Sequence, residues 1–176
     1  MIQMQSSRPP EADWDRLAAL LGAEEEHYRR LLRLARRQNS YMKRQDVDRL
    51  EANSAEWARH LPQADAARIR RERCCDALRE ALGPGAAELR LDALLEHCGP
   101  ERRRRVRAAL DDLGRTVGDL ARQNELNRHL AAFCLDLARQ ESTIFRDCVL
   151  DDPAGCYGRD ARNANRGAGG VLVKQA

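Results

Sequence analysis

The sequence predicts an all-α protein: an elongated antiparallel helical bundle of coiled-coil character, with one long C-terminal helix and a disordered tail. Three observations predict it. Positions from Val106 through Leu110, Leu113, Val117, Leu120, Asn124, Asn127, Ala131, Cys134, Ala138 and Glu141 to Phe145 and Cys148 follow one another at alternating steps of four and three, a spacing that keeps one stripe on one side of a helix. Aromatic content is 4% and charged content 34%, which suits narrow apolar seams flanked by charge better than a thick globular core. The helix-breaking residues gather at a few places, chiefly Pro9-Pro10, Gly83-Pro84-Gly85, Gly99-Pro100 and Pro153, and leave long uninterrupted tracts between them.

Residues 1–10 are polar, end in the proline pair and read as a disordered lead-in. The first helix starts near Glu11. Its stripe uses Trp14, Leu17, Leu21, Tyr28, Leu31, Leu32 and Ala35, with Glu24, Glu25 and Glu26 at helical pairing distance from Arg29 and Arg30. At Gln38-Asn39-Ser40 three polar residues of modest helix propensity meet, and a bend or short loop is expected there.

A second helical tract begins around Asp46 and carries Val47, Leu50, Trp57 and Leu61. Pro62 removes a backbone donor and crowds the preceding turn, so a kink or break is expected at that point. Ala66, Ile69, Cys75, Leu78 and Leu82 then resume the pattern, and Gly83-Pro84-Gly85 ends it. Residues 86–98 form a short segment whose Leu89, Leu91, Leu94 and Leu95 are suited to cover one end of the bundle.

Pro100 fits the first turn of the long helix. Between Pro100 and Pro153 only Gly114 and Gly118 weaken helix propensity, and at about 1.5 Å rise per residue the segment reaches roughly 70 Å. A helix that long needs partners. The first two tracts are expected to pack on its N-terminal half and leave its C-terminal part less covered. The domain reading is therefore a helical bundle over 11–150 and a flexible, glycine-rich tail over 151–176.

Several function classes lose ground on composition. The 31 Lys and Arg against 28 Asp and Glu give a net charge of +3, too weak to imply a polyanion partner. Arg102 to Arg105 with Arg107 form the densest basic cluster. Consecutive arginines point around the whole helix and no aromatic platform accompanies them, so a solvated helix start is favoured over an RNA surface. Cations at a helix N-terminus oppose the macrodipole, which calls for acidic residues elsewhere in the bundle. No stretch has the roughly 20 apolar residues of a membrane span. The six cysteines show neither CxxC nor zinc-ligand spacing, so no metal or cofactor is expected, and several fall on apolar stripes where cysteine acts as a small hydrophobe. With no N-terminal basic segment leading into an apolar run, the expected location is the cytoplasm, with reduced thiols. His27, His60, His97 and His129 are scattered and no nucleophile sits in a recognisable setting, so the protein is not expected to be an enzyme.

Two features point to binding. Asn124 and Asn127 sit on the apolar stripe, either as register-setting amides that penalise slipped alignments or as part of a wet seam. Beside them a second stripe opens, made of Leu126, Leu130, Phe133, Leu137 and Ile144. Two adjacent stripes are wider than one neighbouring helix covers. The face is either core or a groove for an amphipathic helix.

These residues resemble the FlgN family of flagellar type III export chaperones over most of the chain, from about Trp14 to Tyr157. The resemblance rests on Tyr28-x-x-Leu31-Leu32 after an acidic patch, Gln45-Asp46-Val47-x-x-Leu50, Arg71-Glu72-Arg73 before an apolar run and Leu89-x-Leu91-x-x-Leu94-Leu95 between helices. It rests further on Asn124-x-x-Asn127 in the last helix, and on Cys156-Tyr157-Gly158 before a glycine-rich end. The resemblance implies a cytoplasmic chaperone for hook-associated proteins of the FlgK and FlgL type. It would bind the clients' C-terminal helix through Leu130, Phe133, Leu137, Ile144, Phe145 and Val149, and would dock on the export gate protein FlhA through Tyr157. The cysteine content, Pro62 and the Arg102 to Arg105 run depart from the family's pattern. An exposed apolar face also admits a homodimer of the free form. The alternative readings are a structural or regulatory coiled-coil protein and, behind it, an RNA-binding helical protein.

Overall fold

A computed structural model describes residues 11–147, which contain no strand. Helix α1 runs over Glu11–Arg44, α2 over Val47–Leu82, the short α3 over Leu91–Leu94 and α4 over Pro100–Phe145, with single 3-10 turns at Pro84–Ala86 and Leu95–His97. The described residues fall into two compact units, 11–130 and 131–147.

In the first unit α1 and α2 form an antiparallel hairpin. Cys74 near the end of α2 reaches the carbonyl of Asp13, His60 meets His27, and Asn53 donates to the carbonyl of Leu34. Its turn is made by Gln45, whose φ of 54° is left-handed, and Asp46, whose carboxylate caps α2 by accepting from the Arg49 N–H at 3.2 Å. Helix α4 runs parallel to α1, because Arg102 pairs with Asp15 and Asn127 with Ala35.

The α1 stripe is buried as the spacing predicts except for the half-buried Tyr28, with Leu34 added to it. The bend expected at Gln38-Asn39-Ser40 is absent and α1 continues to Arg44. Gln38 and Asn39 spend their amides on Asn127 of α4, so tertiary hydrogen bonds outweigh their weak propensity. Pro62 does not break α2 either. The carbonyl that loses its donor belongs to Ala58, which is exposed, as Pro62 is, so the missing bond is on the side open to solvent.

The buried face of α2 differs in part from the expected one. Cys75 and Leu78 are buried as expected, but Val47, Leu61 and Ile69 are exposed, and Asn53, His60, Ala64, Ala67 and Cys74 are buried instead. Small and polar side chains thus take much of the buried face on which the sequence suggested an aliphatic ridge.

Two apolar clusters result. Trp14, Leu17, Leu21, Leu78, Leu94, Leu95 and Val106 fill the first, with Cys74, Cys75 and Cys98 behaving as small hydrophobes within it. Leu91 and Leu89 pack against this cluster, so the segment after Gly83 covers this end of the bundle as expected. Leu31, Leu32, Leu34, Ala35, Ala64 and Leu120 fill the second, with Tyr28 and Trp57 against it. On α4 the buried residues are Val106, Leu120 and Asn127, whereas Val117 on the same predicted stripe is 40% exposed.

Candidate functional site

Between the two clusters lies a polar layer that ties three helices together. Glu24 on α1, almost fully buried, accepts from Arg71 Nε on α2 at 2.6 Å. Its neighbour Glu25, also buried, takes Arg29 at 2.7 Å and the Thr116 hydroxyl of α4 at 2.7 Å. Each buried carboxylate is thus paired and hydrogen-bonded, the condition under which burial of charge is tolerated. Sequence reasoning treated Glu24 as a surface partner for α1 arginines. Its place on the Leu17, Leu21, Leu31 side of the helix was the signal that it turns inward.

Asn127 ends the α1–α4 contact with a saturated amide. Its Nδ2 donates to the Ala35 carbonyl at 2.8 Å and to Gln38 Oε1 at 2.9 Å, while its Oδ1 accepts from Asn39 at 3.0 Å and from Gln123 at 3.1 Å. Three of these bonds, to Ala35, Gln38 and Asn39, cross to α1 and depend on how the two helices align, whereas Gln123 lies one turn back on α4 itself. Asn124, three residues earlier, is exposed and takes no part in this network.

After Asn127 the character of α4 changes. Leu126 is exposed and Leu130 half-buried. In the second unit no described residue is buried: Phe133 is 64% exposed, Leu137 39%, Ile144 61% and Phe145 60%. At about 100° per residue Phe133, Leu137 and Ile144 fall within roughly 40° of one another, and Phe145 flanks them. Apolar residues at helical spacing and this exposed form a patch of the kind that binds partners. Val149 and Tyr157 lie outside the described residues.

The basic cluster is largely neutralised within the fold. Arg102 pairs with Glu11 and Asp15, Arg105 with Asp15 and Glu101, Arg103 with Glu96, and Arg107 with Asp92. The acidic residues that the macrodipole argument called for are therefore in place, mostly on α1 and the segment before α4.

Side chains with chemical potential are turned to packing. Burial pushes the Cys74 and Cys75 thiols up and keeps them protonated. His27 Nδ1 and His60 Nε2 share a hydrogen bond at 3.3 Å, and burial, followed by the charges of Arg30 and His27, lowers the His60 pKa. Among the described residues no group of three or more His, Cys, Asp or Glu is arranged to hold a metal ion, and no helix is long and apolar enough to cross a membrane.

An all-helical bundle whose polar groups are consumed in holding its own register, and which presents an exposed apolar helix face, belongs to the class of helical protein-binding modules. A family model described as FlgN protein matches residues 13–165. The chain belongs to the FlgN family, a family of flagellar export chaperones rather than of enzymes. No curated protein and no solved structure matches the chain.

Proposed function

We propose that this protein is a cytoplasmic chaperone that binds the C-terminal helix of hook-associated proteins of the FlgK and FlgL type, keeps them soluble and delivers them to the export gate protein FlhA. The observation that carries this reading is the exposed stripe of Phe133, Leu137 and Ile144 on a long helix, together with membership in a family of flagellar export chaperones. An amphipathic client helix would lay its apolar face along that stripe, and Leu130, Phe145 and Val149 are proposed as further client contacts. Desolvating such side chains contributes roughly 1.5–3 kcal/mol for each one fully buried, enough for a handful of anchors to hold a client reversibly. Tyr157 is the residue proposed to meet the gate. The ion pairing of Arg102, Arg103, Arg105 and Arg107 disfavours the RNA-binding alternative.

Titration calorimetry against a peptide spanning the C-terminal helix of the same organism's FlgK-like protein tests the proposal. Saturable binding by the full chain, lost when the chain ends at Leu120, is the expected result. Absence of binding by the folded full chain would shift the reading to a coiled-coil protein without an export role.

A further inference from the structure

A second surface of different chemistry lies between α1 and α2. Arg16 on α1 and Arg70 and Arg73 on α2 line one groove of about 200 Å³, with Leu20, Cys74 and Ala77 as its floor and Asp13 within it. Antiparallel packing builds it, because Asp13, Arg16 and Leu20 recur at steps of three and four along α1, as Arg70, Arg73 and Ala77 do along α2.

Several neighbouring arginines of α2 are paired within the fold. Arg68 pairs with Glu72 at 2.9 Å, Arg71 with Glu24 at 2.6 Å and Arg79 with Asp76 at 2.7 Å. Arg16, Arg70 and Arg73 form no ion pair among the described residues. Three guanidiniums around one carboxylate leave a local positive excess that the protein does not neutralise. Like charges held around one concavity repel, and an anionic ligand relieves the repulsion. The planar fork of each arginine matches a carboxylate or a phosphate.

The apolar floor narrows the ligand further. A nucleic-acid backbone or free phosphate would use the rim and leave Leu20 and Ala77 unoccupied. A peptide with acidic residues around an aliphatic side chain uses both. We propose that this groove docks an acidic amphipathic segment of a protein partner, its carboxylates on Arg16, Arg70 and Arg73 and its aliphatic side chain on Leu20 and Ala77. The groove shares no residue with the stripe on α4, so this proposal and the chaperone reading fail independently.

Fluorescence anisotropy of the full chain with a labelled peptide of Glu-Glu-Leu repeats tests it. The expected result is saturable binding that weakens about tenfold or more in Arg16→Glu/Arg70→Glu/Arg73→Glu, since truncating charge-assisted contacts at a docking site costs at least that. Arg36→Glu/Arg44→Glu/Arg90→Glu, which reverses three arginines outside the groove, should change it less than about twofold. Should the groove reversal unfold the chain, Arg16→Gln/Arg70→Gln/Arg73→Gln gives the same readout. No saturable binding by the unaltered chain, equal weakening by both reversals, or equally tight binding of an RNA oligonucleotide that the groove variant also loses would overturn the proposal.

Discussion

Asn127 on α4 donates through Nδ2 to the backbone carbonyl of Ala35 on α1 at 2.8 Å, the last hydrogen bond along α4 between these two parallel helices. Because Asn127 also engages Gln38 and Asn39 of α1, one side chain fixes how far α4 is advanced along α1. Asn127→Ala strands those partners and should cost about 1–3 kcal/mol. Asn124→Ala, at an exposed position, should cost less than about 0.5 kcal/mol. Urea unfolding of both variants measures the difference, and equal losses would remove the register role from Asn127.

The Glu24 and Arg71 pair gives a second test. Glu24 keeps only 3% of its side chain exposed and Arg71 20%. Arg71→Ala leaves a buried carboxylate without its cation and should destabilise the fold by about 3 kcal/mol, whereas the double change Glu24→Leu/Arg71→Met should recover most of that loss. Thermal unfolding of the single and double variants checks the ordering. A double variant no better than Arg71→Ala would mean that the pair is irreplaceable by apolar packing.

His60 makes stability depend on pH. Burial first, then the charges of Arg30 and His27, lowers its pKa from 6.5, against smaller opposing pulls from a hydrogen bond with His27 and from Glu56. The unfolded chain therefore binds more protons just below 6.5, so the stabilisation is complete above that pH and is lost as pH falls through the lowered folded value. The fall in Tm between about pH 7.5 and about pH 5.5 should shrink in His60→Gln. An unchanged fall would assign the acid sensitivity to other groups.

Phe133→Asp/Leu137→Asp should abolish saturable binding of the client peptide while leaving helicity intact, because neither side chain is buried, Phe133 being 64% and Leu137 39% exposed. Circular dichroism and calorimetry on the same preparation separate the two effects. Collapse of the helical signal would instead mark this stretch as core.

Periodicity made the α1 stripe legible, and the glycine and proline clusters placed the ends of α2 and the start of α4. Where the reading failed, polar or small residues were doing the packing. Gln38 and Asn39 looked like a break because their amides were weighed as local propensity, when the deciding partner was Asn127, 88 positions from Asn39. The α2 face was misplaced in part because Val47, Leu61 and Ile69 outrank Ala64 and Ala67 in hydrophobicity, yet the alanines are the buried ones. Sequence spacing aligned Leu130, Phe133, Leu137 and Ile144, but it could not tell core from surface. The groove of Arg16, Arg70 and Arg73 had no signal at all, because it exists only once α1 and α2 are paired.

The most direct test of the chaperone reading is hydrogen–deuterium exchange of the full chain with and without the FlgK-type C-terminal peptide. The account predicts slowed exchange within residues 131–147 and little change over α1. Protection confined to α1 and α2, with residues 131–147 exchanging as in the free protein, would contradict it.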